Sequence, residues 1–329
     1  MSPLRACAGL CCALVLLACQ PAFCESVGSY RVFFAECRPP QCERPLIILR
    51  KFVRAGETFF LAVDPQTLAT QVVPASGLGL TRISWDQVKV AAEGTPYGTA
   101  IEDAQRHATP EHDAGIVHTL PPGNGVVLTI DLCPSSRPLD RQLFAAILSN
   151  FGPQGKPVPL GVAITGRWMH EHPNDLRWLV RLEQSNELAV TWINHSFNHR
   201  FDRTLPDSQN FLLARGTNLE FEILGTEAAM IENGIRPSIF FRFPGLVSNA
   251  ELFQRVIGYG LIPVGSDAWL AKNQWPRVGS IILVHGNGNE PIGVERFLQL
   301  MATEKASIRE GNWLLFDLRE SILRLEQRQ

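Results

Sequence analysis

The sequence predicts an α/β fold: a parallel sheet of about seven strands covered by helices and curled into a (β/α) barrel, preceded by a small β-rich module. Three observations lead there. After Gly125 apolar runs alternate with amphipathic segments, the runs are apolar on both faces, and before Ala114 short extended pieces follow one another between turn residues. Strands that are apolar on both faces need helices on both sides, which a doubly wound sheet also provides. The number of runs favours the barrel, complete or not.

The chain opens on Arg5 followed by "ACAGLCCALVLLAC", an apolar run short for a bilayer and flanked like an export leader spanning residues 1–24. Two cleavage readings stay open. "LLAC", Leu16 to Cys19, resembles a lipoprotein box that would leave a lipid anchor on Cys19, with bulky Leu17 where a small residue is usual; "AFC" before Glu25 resembles an ordinary small-residue site. Either implies an exported protein, in the periplasm, anchored to the envelope, or extracellular. Five of the eight cysteines lie in this leader. In an oxidising compartment Cys37 and Cys42, which bracket "RPPQ", form the natural disulfide, leaving Cys133 single.

Residues 25–114 read as the β-rich module, with "YRVFFA", "PLIILRKFV", "TFFLAVD" and "TQVVPA" as strands. Its aromatic residues Tyr30, Phe33, Phe34 and Trp85 form no recognisable ligand platform. The polar "EDAQRHATPEHDAG" and then "TLPPGNG" mark the boundary, with residues 115–125 as linker and 126–329 as the main domain. There "VVLTIDL", "VPLGVAITG", "LAVTWIN", "IFFRFPG", "LIPVGSD", "SIILVHG" and "NWLLFDL" are the strands. Between them Leu139, Leu143, Phe144, Ile147 and Leu148 share one helical face; so do Leu252, Phe253, Val256 and Ile257, and Val294, Phe297, Leu298 and Met301. Thirty basic residues against thirty-two acidic ones leave a formal charge of -2, too little to hold a nucleic acid or an anionic membrane globally. A membrane would be met only through a lipid on Cys19.

Polar residues end the strands. "VVLTID" ends in Asp131, "LAVTWIN" runs into His195 and His199, "IFFR" ends in Arg242, "IPVGSD" in Asp267 with Trp269 close behind, and "IILVH" in His285. Singly each is weak, since a satisfied core histidine or a capping aspartate is commoner than a functional one. Together they place ionisable groups on one rim of a parallel sheet, where apolar strands have no folding reason to finish in them. The spacing of His195 and His199 suits one helical turn, with both imidazoles on one side. Two neutral imidazoles, a carboxylate and a water suit Zn²⁺ or a similar divalent ion, with a carboxylate as base and a histidine across the site as acid. That chemistry is metal-assisted hydrolysis of an amide or ester.

These residues resemble the polysaccharide deacetylases of carbohydrate esterase family four, which act on chitin, peptidoglycan and xylan. "LTIDLCPS" is similar to the first motif, "NHSFNH" to the metal-binding second, "FRFPG" to the third, "SDAWL" to the fourth and "LVH" to the fifth, in family order from about Val126 to Leu318. The resemblance implies a distorted (β/α) barrel of about seven parallel strands and a divalent metal, Zn²⁺, held by His195 and His199. It implies Asp131 as general base, His285 as general acid, Arg242 orienting Asp131, and Asp267 supporting the charge network. Trp269, Phe243, Pro244 and Gly245 would wall the substrate pocket. The partner implied is a polysaccharide or oligosaccharide.

One position departs from the pattern: Leu132 stands where the family has its second aspartate, the third metal ligand. Asp131 itself, Asp140 nine residues on, or the thiolate of Cys133 could replace it. The Asp-x-Cys first motif with a later Asp resembles a divergent branch of the family. Two functions follow as expectations: a metal-dependent hydrolase removing N- or O-acetyl groups from an envelope or extracellular glycan, or an inactive glycan-binding or envelope-assembly protein that lost its metal through Leu132.

Overall fold

The computed structural model describes residues 26–38, 41–108 and 111–324. The export leader expected in residues 1–24 and both of its cleavage readings lie outside the described residues. No helix among the described residues is long and apolar enough to cross a membrane.

The N-terminal strands β1 (Val27–Cys37), β2 (Leu46–Arg54), β3 (Glu57–Val63), β4 (Thr70–Pro74) and β5 (Leu80–Arg82) form an antiparallel sheet in the order β4-β3-β2-β1-β5. The hairpin between β2 and β3 turns on Ala55 and Gly56, both at positive φ (50° and 79°), as a two-residue turn matched to strand twist requires. Cys37 and Cys42 are joined by a disulfide just after β1. Ala35, Ile48, Phe60 and Ala62 pack on these cysteines as a small separate core. Ile47, Leu49 and Val63 belong instead to the larger core that contains Phe240, Phe241 and Ile262 of the barrel.

Two helices follow, α1 (Trp85–Ala91), started by a capping box of Ser84 and Gln87, and α2 (Pro96–Arg106), capped by Thr95. The polar run "EDAQR", expected to begin the boundary segment, is the last turns of α2. Its inner face is Tyr97, Ala100, Ile101 and Ala104, and an apolar stripe built partly of alanine is hard to tell from a polar loop by periodicity. Residues 115–125 run against the barrel, where Ile116 bridges Val264 and His118 bridges Ser280.

The barrel consists of β6 (Gly125–Leu132), α3 (Arg141–Phe151), β7 (Val158–Ile164), α4 (Gly166–Glu171), α5 (Pro173–Gln184) and β8 (Leu188–Asn194), then a π-helical turn, Phe221–Gly225, continuing into α6 (Thr226–Glu232). It goes on through β9 (Phe240–Phe241), α7 (Ala250–Ile257), β10 (Ile262–Pro263), β11 (Ala268–Trp269), β12 (Ile281–His285), α8 (Pro291–Thr303), α9 (Lys305–Arg309), β13 (Leu314–Leu315) and α10 (Leu318–Leu323). Seven parallel strands run in the order β10-β9-β8-β7-β6-β12-β11, and β13 pairs with the start of β6. Opposite ends of this path, β10 and β11, are separated in sequence only by Val264–Asp267. A link that short spans roughly 15–20 Å even when extended. The sheet must therefore curl until its edges face each other, which gives the distorted barrel. All eight residues of β6 are buried. The expected helical faces pack inward except Leu298, which is 37% exposed on α8.

One buried ion pair ties the N-terminal sheet to the barrel. Arg50 on β2 donates to Glu227 on α6 through Nε (2.7 Å) and Nη2 (2.9 Å), and Tyr30 adds its hydroxyl to the same carboxylate at 3.0 Å. Both partners are about 1% exposed, and the remaining guanidinium nitrogen reaches the carbonyls of Leu49 and Tyr259. Removing one member strands a buried charge. Glu227→Gln is expected to lower the unfolding free energy by about 3–5 kcal/mol in urea titration, and Arg50→Met combined with Glu227→Leu to recover most of it. A single-variant loss below about 1 kcal/mol would mean that water reaches the pair.

Candidate active site

The site begins with the alternation of β6. Successive side chains of a strand point to opposite faces, so Asp131 and Cys133 share the inner rim while Leu132 turns outward. Leu132 lies fully buried in the cluster of Leu143, Phe144 and Ile147 from α3. It is a packing residue. Cys133, 4% exposed, has its sulfur 3.5 Å from His195 Nε2. Ligand atoms of Cys133, His195 and His199 all lie within 4.8 Å of one another, the one such three-residue set among the described residues.

The tautomer of His195 follows from its partner. Its Nδ1 lies 2.9 Å from the carbonyl of Arg242, and a carbonyl can only accept, so Nδ1 carries a hydrogen and Nε2 is the nitrogen left to face Cys133. His199 does not come from a helical turn as its spacing suggested. Strand β8 stops at Asn194 and the chain loops, with Ser196 and His199 at positive φ (66° and 46°). This loop is held by the buried Glu222 in the π-helical turn, whose carboxylate accepts the backbone N–H of Phe197 (2.9 Å) and of Asn198 (2.8 Å) and the Asn198 side-chain amide (2.7 Å). The two imidazole rings meet edge to face at 4.9 Å.

Burial pushes the Cys133 thiol up, but the imidazoles of His199, His285 and His195 more than reverse it and hold it well below the ordinary thiol range. A thiolate and two imidazoles, one fixed in the correct tautomer, suit Zn²⁺ or another borderline-soft divalent ion. The other candidates for third ligand are placed elsewhere. Asp140 caps α3, accepting the Leu143 N–H at 3.1 Å, because it is the first polar group before the exposed N–H donors of that helix. Asp131 stands outside the three-residue set, with Oδ2 at 3.7 Å from His195 Nε2, and its Oδ1 is taken by Arg242 Nη1 at 2.7 Å.

Arg242 is fully buried at the end of β9 and also donates to Thr129 Oγ1 (2.7 Å) and to the carbonyl of Gly265 (2.9 Å). Asp267 does not join this network. Its carboxylate pairs with His118 Nδ1 at 2.8 Å and accepts the Ile281 N–H at 3.1 Å, on the segment from β10 to β11 that closes the barrel. A strand-end aspartate there serves the closure.

Across the site His285, at the end of β12, has Nδ1 2.8 Å from Glu290 Oε2, an ion-pair contact whose angle lies outside that of a hydrogen bond. Burial disfavours the charged ring, but the Cys133 sulfur, Glu290 and Asp131 outweigh it and raise His285 well above the usual imidazole range. Glu290 is correspondingly held down by His285, by the Trp269 indole N–H at 2.8 Å and by Lys272, against the upward pull of its own burial.

These groups line a pocket of about 240 Å³ whose apolar end is Leu246, Trp269 and Leu283. Gly245 also lines it, at φ 63°, where a Cβ would meet the Phe211 ring at 2.5 Å. Pro244 is buried and outside this lining, and Phe243 turns away into the core beside Phe241 and Phe253. Both were expected as walls; the strained turn at Gly245 and Leu246 presents Leu246 instead. Leu283 was findable, since strand alternation puts it on the face of His285. Glu290, Phe211 and Glu222 carry no such local signal.

Fold and site together describe a parallel barrel with a thiolate–imidazole ligand set facing a carboxylate and an imidazole. No family model matches the chain. Among solved structures it is similar to a family 4 carbohydrate esterase from Bacillus anthracis, at 17% identity over 67% of this chain and 90% of that one, TM-score 0.48. It is also similar to a family 4 carbohydrate esterase from Streptomyces lividans in complex with acetate (22% identity, 59% and 92% covered, TM-score 0.39). A CE4 family pseudoenzyme from Bacillus anthracis is matched at 15% identity, with 63% and 68% covered and a TM-score of 0.42.

Glu222 is a positioning residue for His199 in this geometry. Glu222→Ala is expected to weaken Zn²⁺ binding about 10- to 100-fold in competition with a chromophoric chelator, while Glu222→Gln, which keeps an acceptor for the two backbone donors, retains most of it. Equal metal affinity in all three proteins would remove that role.

Proposed function

We propose that the chain is a metal-dependent hydrolase that removes N- or O-acetyl groups from an envelope or extracellular glycan. The observation that carries this reading is the convergence of Cys133, His195 and His199 with Asp131 and His285 around one small pocket that has an apolar end. Cys133, His195 and His199 would hold the ion. A bound divalent ion supplies Lewis acidity, acidifying water and polarising an acyl carbonyl. Asp131, its Oδ1 engaged by Arg242, keeps Oδ2 toward the site to accept the proton of the attacking water. His285, whose pKa the Cys133 sulfur, Glu290 and Asp131 raise against its burial, would give a proton to the departing amine or alcohol of the sugar. Leu246, Trp269 and Leu283 form an apolar seat that would take the acetyl methyl.

The inactive, glycan-binding alternative was motivated by Leu132. Cys133 weakens that motive, because it supplies a donor from the inner face where Leu132 cannot. The reading includes export: the Cys37–Cys42 disulfide fits an oxidising compartment, as the leader in residues 1–24 does, with or without a lipid on Cys19.

Acetate release should be measured on acetylated chito-oligomers, peptidoglycan and acetylated xylan. Activity is expected to disappear with a chelator and return with Zn²⁺ or Co²⁺, and to fall about 10²–10⁴-fold in His285→Ala with metal content unchanged. No metal-dependent release from any of the three would overturn the proposal. Glu290→Gln gives a pH test. Protonated His285 is the working form, so activity is lost as pH rises through its pKa; deleting the neighbouring charge lowers that pKa and moves the alkaline limb of the rate profile to lower pH. A limb that stays in place would exclude His285 as the acid.

A further inference from the structure

A second depression, of about 690 Å³, opens off the catalytic pocket, and Cys133, His199, Phe201 and Asn289 line both spaces. Beyond them its walls carry Arg167, Arg200 and Phe221. Phe201 and Phe221 are 55% and 45% exposed, open for large apolar side chains. Flat rings in the wall of a wet cleft suit the apolar face of a pyranose.

The charge of this cleft is the second observation. Its one acidic side chain, Glu222, is engaged by the three N–H donors of Phe197 and Asn198. Among the described residues the Arg167 side chain pairs with Glu171, at 2.7 Å, and the two members are 57% and 35% exposed. Such a contact is weak enough for a ligand carboxylate to displace. Arg200 is exposed, and the nearby charge it acts on among the described residues is Asp202. In a chain of net charge -2 this is a local basic site.

Both arginines sit on backbone tied to the metal ligands. Arg200 follows His199 directly. Arg167 donates its backbone N–H to the Phe197 carbonyl at 2.9 Å, and Gly166 admits the Phe197 ring to within 2.1 Å of where a Cβ would lie. The backbone that carries both arginines is therefore held next to His199 and the Phe197 loop.

We propose that this cleft binds the sugar next to the acetylated one and selects a glycan that carries carboxylates there, with the guanidinium forks of Arg167 and Arg200 donating to the sugar acid. The proposal rests on the hydrolase reading and names its substrate class as anionic.

The test uses two N-acetylated oligosaccharides of equal length: a neutral N-acetylglucosamine oligomer and a hyaluronan-type oligomer alternating N-acetylglucosamine with glucuronate. Dissociation constants are measured by calorimetry on the full mature chain, at low and high salt, with acetate release followed separately. The anionic oligomer is expected to bind about tenfold more tightly or better, to lose that advantage at high salt, and to lose most of it in Arg167→Gln and in Arg200→Gln at unchanged melting temperature. Equal binding of the two oligomers, or a preference that survives both substitutions, overturns the proposal. Arginine-dependent binding sustains the anionic preference even where the hydrolase reading has failed for want of metal-dependent acetate release from the three acetylated substrates above; acetate release without anionic preference does the reverse.

Discussion

Arg242 is the group around which the barrel is organised. A guanidinium with no solvent exposure needs acceptors, and the barrel offers four to its five N–H donors from several directions: Thr129 and Asp131 on β6, and the carbonyls of Gly265 and Val264 on the link that closes the sheet. Its own carbonyl receives His195 Nδ1–H. One residue thus helps close the barrel, sets which oxygen of Asp131 faces the pocket and sets which nitrogen of His195 is free. Loss of the side chain would leave several polar groups buried without partners, so closure and site geometry stand or fall together.

Cys133, His195 and His199 converge although the residue beside Cys133, Leu132, is aliphatic. Leu132 belongs to the helix layer by strand alternation, and Cys133 is the next residue able to face the rim. A thiolate brings softer donor chemistry than a carboxylate, favouring Zn²⁺ over harder ions such as Mg²⁺. With Asp131 bound to Arg242 and outside the set of Cys133, His195 and His199, the proposed proton transfer and metal binding would fall to different side chains.

The helical segment from Phe221 to Glu232 works in two directions. Glu222, in its π-helical turn, holds the loop of His199, and Glu227, in the α-helical part, holds Arg50 of the N-terminal sheet. Thr226 Oγ1 donates to the Glu222 carbonyl between them at 2.8 Å. The N-terminal sheet is therefore connected through this segment to the loop of His199, and its shared core with the barrel adds to that contact.

By itself the sequence determined the alternation of strands and helices, the polar strand ends and the Cys37–Cys42 pairing, because these follow from side-chain periodicity and short loops. The inner placement of Asp131 and His285 is legible for the same reason. Only the tertiary structure decided which polar groups meet. It turned Asp267 to His118 and Asp140 to the cap of α3, brought Cys133 to the histidines, and replaced the expected helical turn at His195 and His199 by a loop held from Glu222. Those outcomes depend on partners far along the chain, on the curl of the sheet and on the φ of single loop residues, none of which leaves a mark in local sequence pattern.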